Sequence, residues 1–288
     1  MRCGPYDSWN GLSLNTPYWD TVTWGGTRMA LPTLRGQDIE VAYRAGKQMR
    51  PKFPDSRTIT FIMWTAGIDQ ATGKPAADQR LAWNNNWQQL RDAFWTRGPL
   101  GSAQGTLSRL WYYTQGGVAQ LVSASALGEI AGSMEPTMTG RNRADFSVDI
   151  LLADPYFYGA PVATTLTLNV AKNVTNFGEG QAGEGQPSTV NTFSLVLNGP
   201  LTVPTLTNTT AGVSLTYGAT IQAGVSLTID LLRFQASDSV GVNQVPYVGH
   251  AGSRFWFLLL SGLNSLTLTS LSGADSGNAI LTFCPPYV

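Results

Sequence analysis

A single histidine bounds the catalysis this chain can do. His250 is the only one in 288 residues, so a Ser-His-Asp relay would have to use it, and a histidine-rich metal site is excluded. It stands in Gly249-His250-Ala251-Gly252-Ser253, a loop ahead of an apolar run. No serine occupies a Gly-x-Ser-x-Gly elbow, and nothing supplies the other members of a site. Asp145, Asp149 and Asp154 form a carboxylate set. Paired carboxylates hydrolyse glycosides only at defined separations across a cleft. Asp145 and Asp149 fall on one side of a strand, and Asp154 precedes Pro155, so they read as a solvated face and a turn. Trp83 and Trp87 could stack on sugars, but their helical spacing points to burial or an interface. Gly178-Glu179-Gly180-Gln181-Ala182-Gly183 fits a dinucleotide fingerprint in letters only. That fingerprint needs a strand before it and a helix N-terminus after it, and no helical pattern follows. Cys3 and Cys284 form neither a metal-ligand spacing nor a redox pair. The sequence predicts no catalytic residue, no cofactor site and no metal site: not an enzyme.

One charged segment remains. Arg44, Lys47, Arg50, Lys52 and Arg57 form a basic run with few acids. Nucleic acid is one partner for such a run. A neighbouring acidic subunit is the other, and zero net charge over the chain favours the subunit.

These residues sit in two dissimilar halves. Residues 1–155 hold 15 basic and 13 acidic side chains, whereas residues 156–288 hold 3 and 5. A core of this length divides readily into two domains, predicted as 1–155 and 156–288. The dividing stretch is Phe146 to Gly159. Phe146, Val148, Ile150 and Leu152 alternate onto one face of a strand, Asp154-Pro155 ends it, and Tyr156, Phe157 and Tyr158 follow. The first half reads as α+β. Strands are expected at 34–46 and 57–64, a helix at 77–95, and a hairpin of 107–114 and 118–126 around Gln115-Gly116-Gly117. Residues 47–54 and 128–143 read as loops. The helix carries Trp83, Trp87, Leu90 and Phe94 on one stripe, with Asp78 as its cap. The second half has a period of two and frequent turn residues, which reads as a β-sandwich. Its strands are expected at 164–170, 192–197, 202–206, 213–217, 226–230, 244–248, 254–260, 265–269 and 279–284, with a loop at 172–190. No apolar run reaches the length of a bilayer span or a secretory leader. The chain is therefore expected to be made in a cytoplasm, and its two Asn-x-Thr triplets to be chance matches.

The order of these features resembles the distal tail proteins of bacteriophages with long, non-contractile tails. The resemblance is carried by Arg35-Gly36-Gln37-Asp38-Ile39 to Gly46, Arg57-Thr58-Ile59-Thr60, the helix ending in Gln88-Gln89-Leu90-Arg91, and Ala153-Asp154-Pro155-Tyr156-Phe157-Tyr158. In the second half it is carried by Leu197-Asn198-Gly199, Ala223 to Asp230 and Ser261 to Leu266. The resemblance implies an N-terminal belt domain with a helix and a β-hairpin arm, followed by a galectin-like β-sandwich. It implies a homohexameric ring between the tail-tube protein and a tail-tip or baseplate hub protein, with a channel through which DNA passes. It places the chain at the distal end of the tail of a virion assembled in the host bacterial cytoplasm, with no membrane insertion. Arg44, Lys47, Arg50, Trp111 and Tyr113 are the subunit-contact candidates. A carbohydrate-binding module for host-surface attachment is the alternative reading. Against it, the second half holds only Trp256 of the nine tryptophans.

Overall fold

The computed structural model describes residues 8–21, 34–35, 39–40, 47–48, 53–54, 56–94, 104–115, 118–131, 135–140, 142–154, 156–176, 189–190, 193–231, 233–252, 257–260 and 262–287. Contacts divide the chain into two compact units, one of residues 1–112, 120–157 and 288, the other of residues 113–119 and 158–287.

The first unit is built on two long strands, β8 (Arg57–Ala66) and β12 (Arg143–Leu152). They pair antiparallel without a break, from Arg57↔Leu152 to Ala66↔Arg143. Alternation decides the rest. Ile59, Phe61 and Met63 on β8 and Phe146, Val148, Ile150 and Leu152 on β12 are buried on one face, as their spacing predicts. Around this pair the sheet takes the order β2-β1-β9-β10-β12-β8-β3, with β11 also on β12. Its members are β1 (Ser8–Trp9), β2 (Leu12–Ser13), β3 (Trp19–Thr21), β9 (Gln104–Gln115), β10 (Val118–Ala131) and β11 (Thr137–Gly140). The predicted hairpin is present, and both its strands run longer than expected. Two corrections fall here. Residues 128–143 are not one loop, because β10 continues to Ala131 and β11 adds a short strand. Of residues 47–54, also expected as a loop, the described ones form strands. β4 (Leu34–Arg35) pairs with β7 (Phe53–Pro54), and β5 (Ile39–Glu40) with β6 (Lys47–Gln48). Each pair is a ribbon of two dipeptides, and in sequence the second pair lies inside the first. Two-residue strands are too short to show a period, and Pro51 and Pro54 argue for a loop.

Helix α1 (Gln79–Phe94) covers the buried face. Asp78 caps it, its Oδ1 accepting from Leu81 N at 3.0 Å. Trp87, Leu90 and Phe94 are buried. Trp87 meets Phe146 edge-on at 5.0 Å, and Phe94 stacks on Trp9 at 6.0 Å between centroids. Trp9 in turn donates Nε1–H to Ala93 O at 3.0 Å. It lies so close to β9 that a Cβ on Gly105 would fall 2.3 Å from its ring; only glycine fits there. Asn86 supplies the polar fastening. It is buried, donates Nδ2–H to Ala66 O and Ile68 O at 2.9 Å each, and accepts from Gln70 Nε2 at 2.8 Å.

The second unit is a sandwich of two five-stranded antiparallel sheets. One runs β14 (Val162–Thr167), β27 (Asn278–Phe283), β17 (Phe193–Asn198), β22 (Ser226–Asp230), β23 (Gln235–Asp238). The other runs β15 (Ala171–Asn176), β26 (Gly262–Thr269), β19 (Thr205–Asn208), β20 (Val213–Tyr217), β24 (Val248–Ala251). Their inward residues, among them Leu166, Leu195, Leu215, Ile229, Leu268 and Leu281, share one core. Two short ribbons accompany it, β16 (Thr189–Val190) with β25 (Leu259–Leu260) and β18 (Leu201–Thr202) with β21 (Thr220–Ile221), whereas β13 (Phe157–Gly159) and β28 (Pro286–Tyr287) count with the ten-stranded sheet that contains β10. The strands at 213–217 and 226–230 stand as predicted. Residues 244–248 do not form a strand: Val245–Tyr247 is a 3₁₀ turn opened by Pro246. Residues 172–176 belong to β15 rather than to a loop, and β23 was not anticipated. The outer strand β14 keeps unbroken register with β27 from Val162↔Phe283 to Thr167↔Asn278 and carries no charge.

Truncating the core tests this layering. Leu90→Ala or Leu281→Ala, each at a fully buried site, should cost about 2–5 kcal/mol in denaturant unfolding. Leu81→Ala, at an exposed position on α1, should change stability by less than about 0.5 kcal/mol.

Candidate assembly surfaces

The sheet of the first unit has one face under α1 and another turned the opposite way, and the register fixes which side chains populate that second face. Trp64 lies opposite Asp145, Ile62 opposite Ser147, Thr60 opposite Asp149 and Thr58 opposite Leu151. Leu151 lies opposite Glu129 of β10, and Trp64 opposite Asp20 of β3. Leu127, two residues before Glu129, joins them by alternation. Among the described residues this face gathers Asp20, Glu129, Asp145 and Asp149, with Arg143 beside Asp145. Apolar side chains lie among them, with Ile62 44% and Leu127 63% exposed. Arg143 lies 5.0 Å from the Trp64 ring centroid and 3.3 Å from Asp145 Oδ1, an exposed pair of small energetic weight. Thr60 Oγ1 donates to Asp149 Oδ1 at 2.6 Å. No catalytic pairing results: the two aspartates on β12 engage different neighbours on a flat strand face.

The sequence-derived contact candidates fall as follows. Arg44 and Arg50 lie outside the described residues. Lys47 opens β6 opposite Glu40. Trp111 and Tyr113 both lie on β9, with side chains outside the described set. The Gly178–Gly183 motif also lies outside it. His250 is exposed on β24, opposite Leu215. Burial raises the Cys284 thiol above its ordinary value, which makes it less reactive. Among the described residues no group of three His, Cys, Asp or Glu side chains could hold a metal, and no helix is long and apolar enough to cross a membrane.

The sandwich offers a second, smaller surface at the loop between β23 and β24. Asp238 organises it. Its Oδ1 accepts from Val240 N at 3.0 Å and Val242 N at 2.9 Å, and its Oδ2 from Gln244 Nε2 at 3.0 Å. Tyr217 OH donates to Gln244 Oε1 at 2.9 Å, and the Tyr217 ring meets Tyr247 edge-on. The frame holds Val240, 82% exposed, out into solvent. Sequence reading missed this arrangement, although Asp238 followed by Gly241 is a turn signal. It also missed three wholly buried asparagines, Asn176, Asn208 and Asn264. Asn208 Nδ2 donates to Leu258 O at 3.0 Å and to Asn264 Oδ1 at 2.9 Å. Asn264 donates to Leu260 O and Gly262 O, and Asn176 to Leu260 O. Together they bind the carbonyls of Leu258, Leu260 and Gly262.

The hydrogen bond from Val242 N, followed by those of Gln244, Val240 and Gly241, holds the Asp238 carboxyl below its ordinary value. A depressed folded pKa contributes above the unfolded carboxylate pKa and is lost as pH falls through the folded value. The loop should therefore keep its form down to a pH below the usual carboxylate range. In Asp238→Ala, hydrogen exchange at Val240 and Val242 should accelerate at neutral pH while exchange in β22 stays slow.

No protein-family model matches the sequence, and no curated protein does. Among solved structures, the chain is similar to the SPP1 Dit protein, described as a paradigm of the hub adsorption apparatus in phages infecting Gram-positive bacteria. The TM-score is 0.62 at 10% identity, over 98% of each chain. It also aligns with chains of the phage P2 baseplate in its activated conformation. With calcium the TM-score is 0.38 at 13% identity, and with strontium 0.40 at 12%, each over 94% of this chain and 92% of the other. Similarity at those two scores does not define a shared fold.

Proposed function

We propose that this chain, which carries the fold of a phage distal tail protein, works as one. It forms a homohexameric ring that joins the tail tube of a siphophage to the tail-tip or baseplate hub and leaves a channel for DNA. The observation that carries this reading is the extent of the likeness to SPP1 Dit, which spans 98% of both chains and so takes in both units of this one. The first unit is then the belt of the ring, and the sandwich is the galectin-like domain. The chain's place is the distal end of the virion tail, after synthesis in the host bacterial cytoplasm.

The work of such a protein is assembly, and the terms available for it are apolar burial, strand pairing and charge complementarity. Contacts between unlike surfaces must close by rotation, since otherwise they propagate into a filament. The ring has two faces, one for the tail-tube protein and one for the hub protein.

Light scattering on a sizing column with negative-stain imaging tests the proposal. The expected particle contains six chains of 30.9 kDa around a central hole. A chain that stays monomeric both alone and with the tail-tube and hub proteins overturns it.

A further inference from the structure

We infer that the hollow beside the first turns of α1 is a binding site for a neutral sugar. The inference does not depend on the ring reading. It starts from Trp83. In the sequence Trp83 and Trp87 stand together as aromatics able to stack on a sugar or to be buried, and the structure separates them. Trp87 is buried against Phe146. Trp83 is only half-buried, and among the described residues it lines a cavity of about 350 Å³ with Asp78, Arg80, Leu81 and Asn84. Small-ligand pockets occupy about 300–1,000 Å³, so this one suits a ligand of one or two sugar rings.

The wall has hydrogen-bonding capacity in reserve. The Trp83 Nε1–H is shut off from solvent and meets no acceptor in the chain. A buried donor in that state is costly, and an oxygen of a bound ligand removes the cost. Arg80 and Asn84 are exposed, and their side chains enter no hydrogen bond or ion pair among the described residues. Asp78 commits Oδ1 to the N–H of Leu81 and retains its second carboxylate oxygen as an acceptor.

This set of groups selects the ligand. Donors alone would suit an anion, but the Asp78 carboxylate stands in the same wall as the Arg80 guanidinium and offsets its charge. A purely apolar ligand would desolvate the guanidinium and the carboxamide and leave the indole N–H without a partner. A hydroxyl both donates and accepts. A ring bearing several of them can therefore engage the carboxylate, the carboxamide, the guanidinium and the indole N–H together. The C–H faces of the same ring meet the apolar surface of Leu81, 58% exposed, and of the indole. All five side chains stand on or at the start of one helix, so most of their placement precedes the ligand.

Nuclear magnetic resonance of the full-length chain tests this. The Trp83 indole N–H signal, assigned by its loss in Trp83→Phe, is followed during titration with glucose, galactose, N-acetylglucosamine and their β-linked dimers, with acetate as the anionic control. At least one sugar should shift the signal saturably. Asn84→Ala and Arg80→Ala, both at exposed positions, should each weaken that sugar at least about fivefold, the effect of losing one hydrogen bond. Melting by circular dichroism confirms that each variant folds. If no sugar of the panel moves the signal, if acetate moves it as readily as any sugar, or if both alanine variants bind as the natural chain does, the inference is overturned. The ring reading stands or falls separately, on particle mass.

Discussion

The ten-residue pairing of β8 with β12 is the constraint on which the first unit depends. It fixes the register of two strands that alternate cleanly, and so decides at once which side chains form a core and which face away. Had the register slipped by one residue, Phe146, Val148 and Ile150 would have met solvent and the carboxylates would have been buried unpaired. Everything else attaches to this pair. α1 seats Trp87 on Phe146, Asn86 ties the helix to the last carbonyls of β8, and Trp9 closes the far end of the stripe. The asymmetry of the sheet, sealed on one side and charged on the other, follows from the same register.

The second unit solves its polar problem differently. It has few charges, and its core is mostly aliphatic, with Tyr217, Phe257 and Phe283 among the leucines and valines. At Leu258, Leu260 and Gly262, asparagine amides bind the backbone carbonyls around the short strand β25. Asparagine suits this role because one side chain both donates and accepts, and at neutral pH it carries no charge to desolvate. The same economy appears at Thr202 and Ser270, which meet the single carboxylate of Asp275.

Much of this was legible from the residues alone. The alternation of Phe146 to Leu152, the step of Trp83, Trp87, Leu90 and Phe94, and the glycines after Gln115 each specify local geometry through a short-range rule. What escaped reading has a common physical cause. The strand Ala171–Asn176 has one buried apolar residue, Val174, and so shows no period. The paired dipeptides of the ribbon are shorter than any period. The asparagine cluster joins positions 176, 208 and 264, whose proximity only the tertiary fold creates. The open face was half visible: Asp145 and Asp149 share a side of one strand, but Asp20 and Glu129 join them only through cross-strand register.

The edge strand Val162–Thr167 has a consequence for the life of the molecule before assembly. Six residues in even register, with no lysine, proline or bulge to spoil the line, form the outer strand of their sheet among the described residues. Nothing in the strand itself opposes sideways growth of the sheet into another chain. Protection has to come from outside it, through a neighbour seated against the rim or through scarcity of free subunits. A chain kept free at high concentration is therefore expected to associate through this edge.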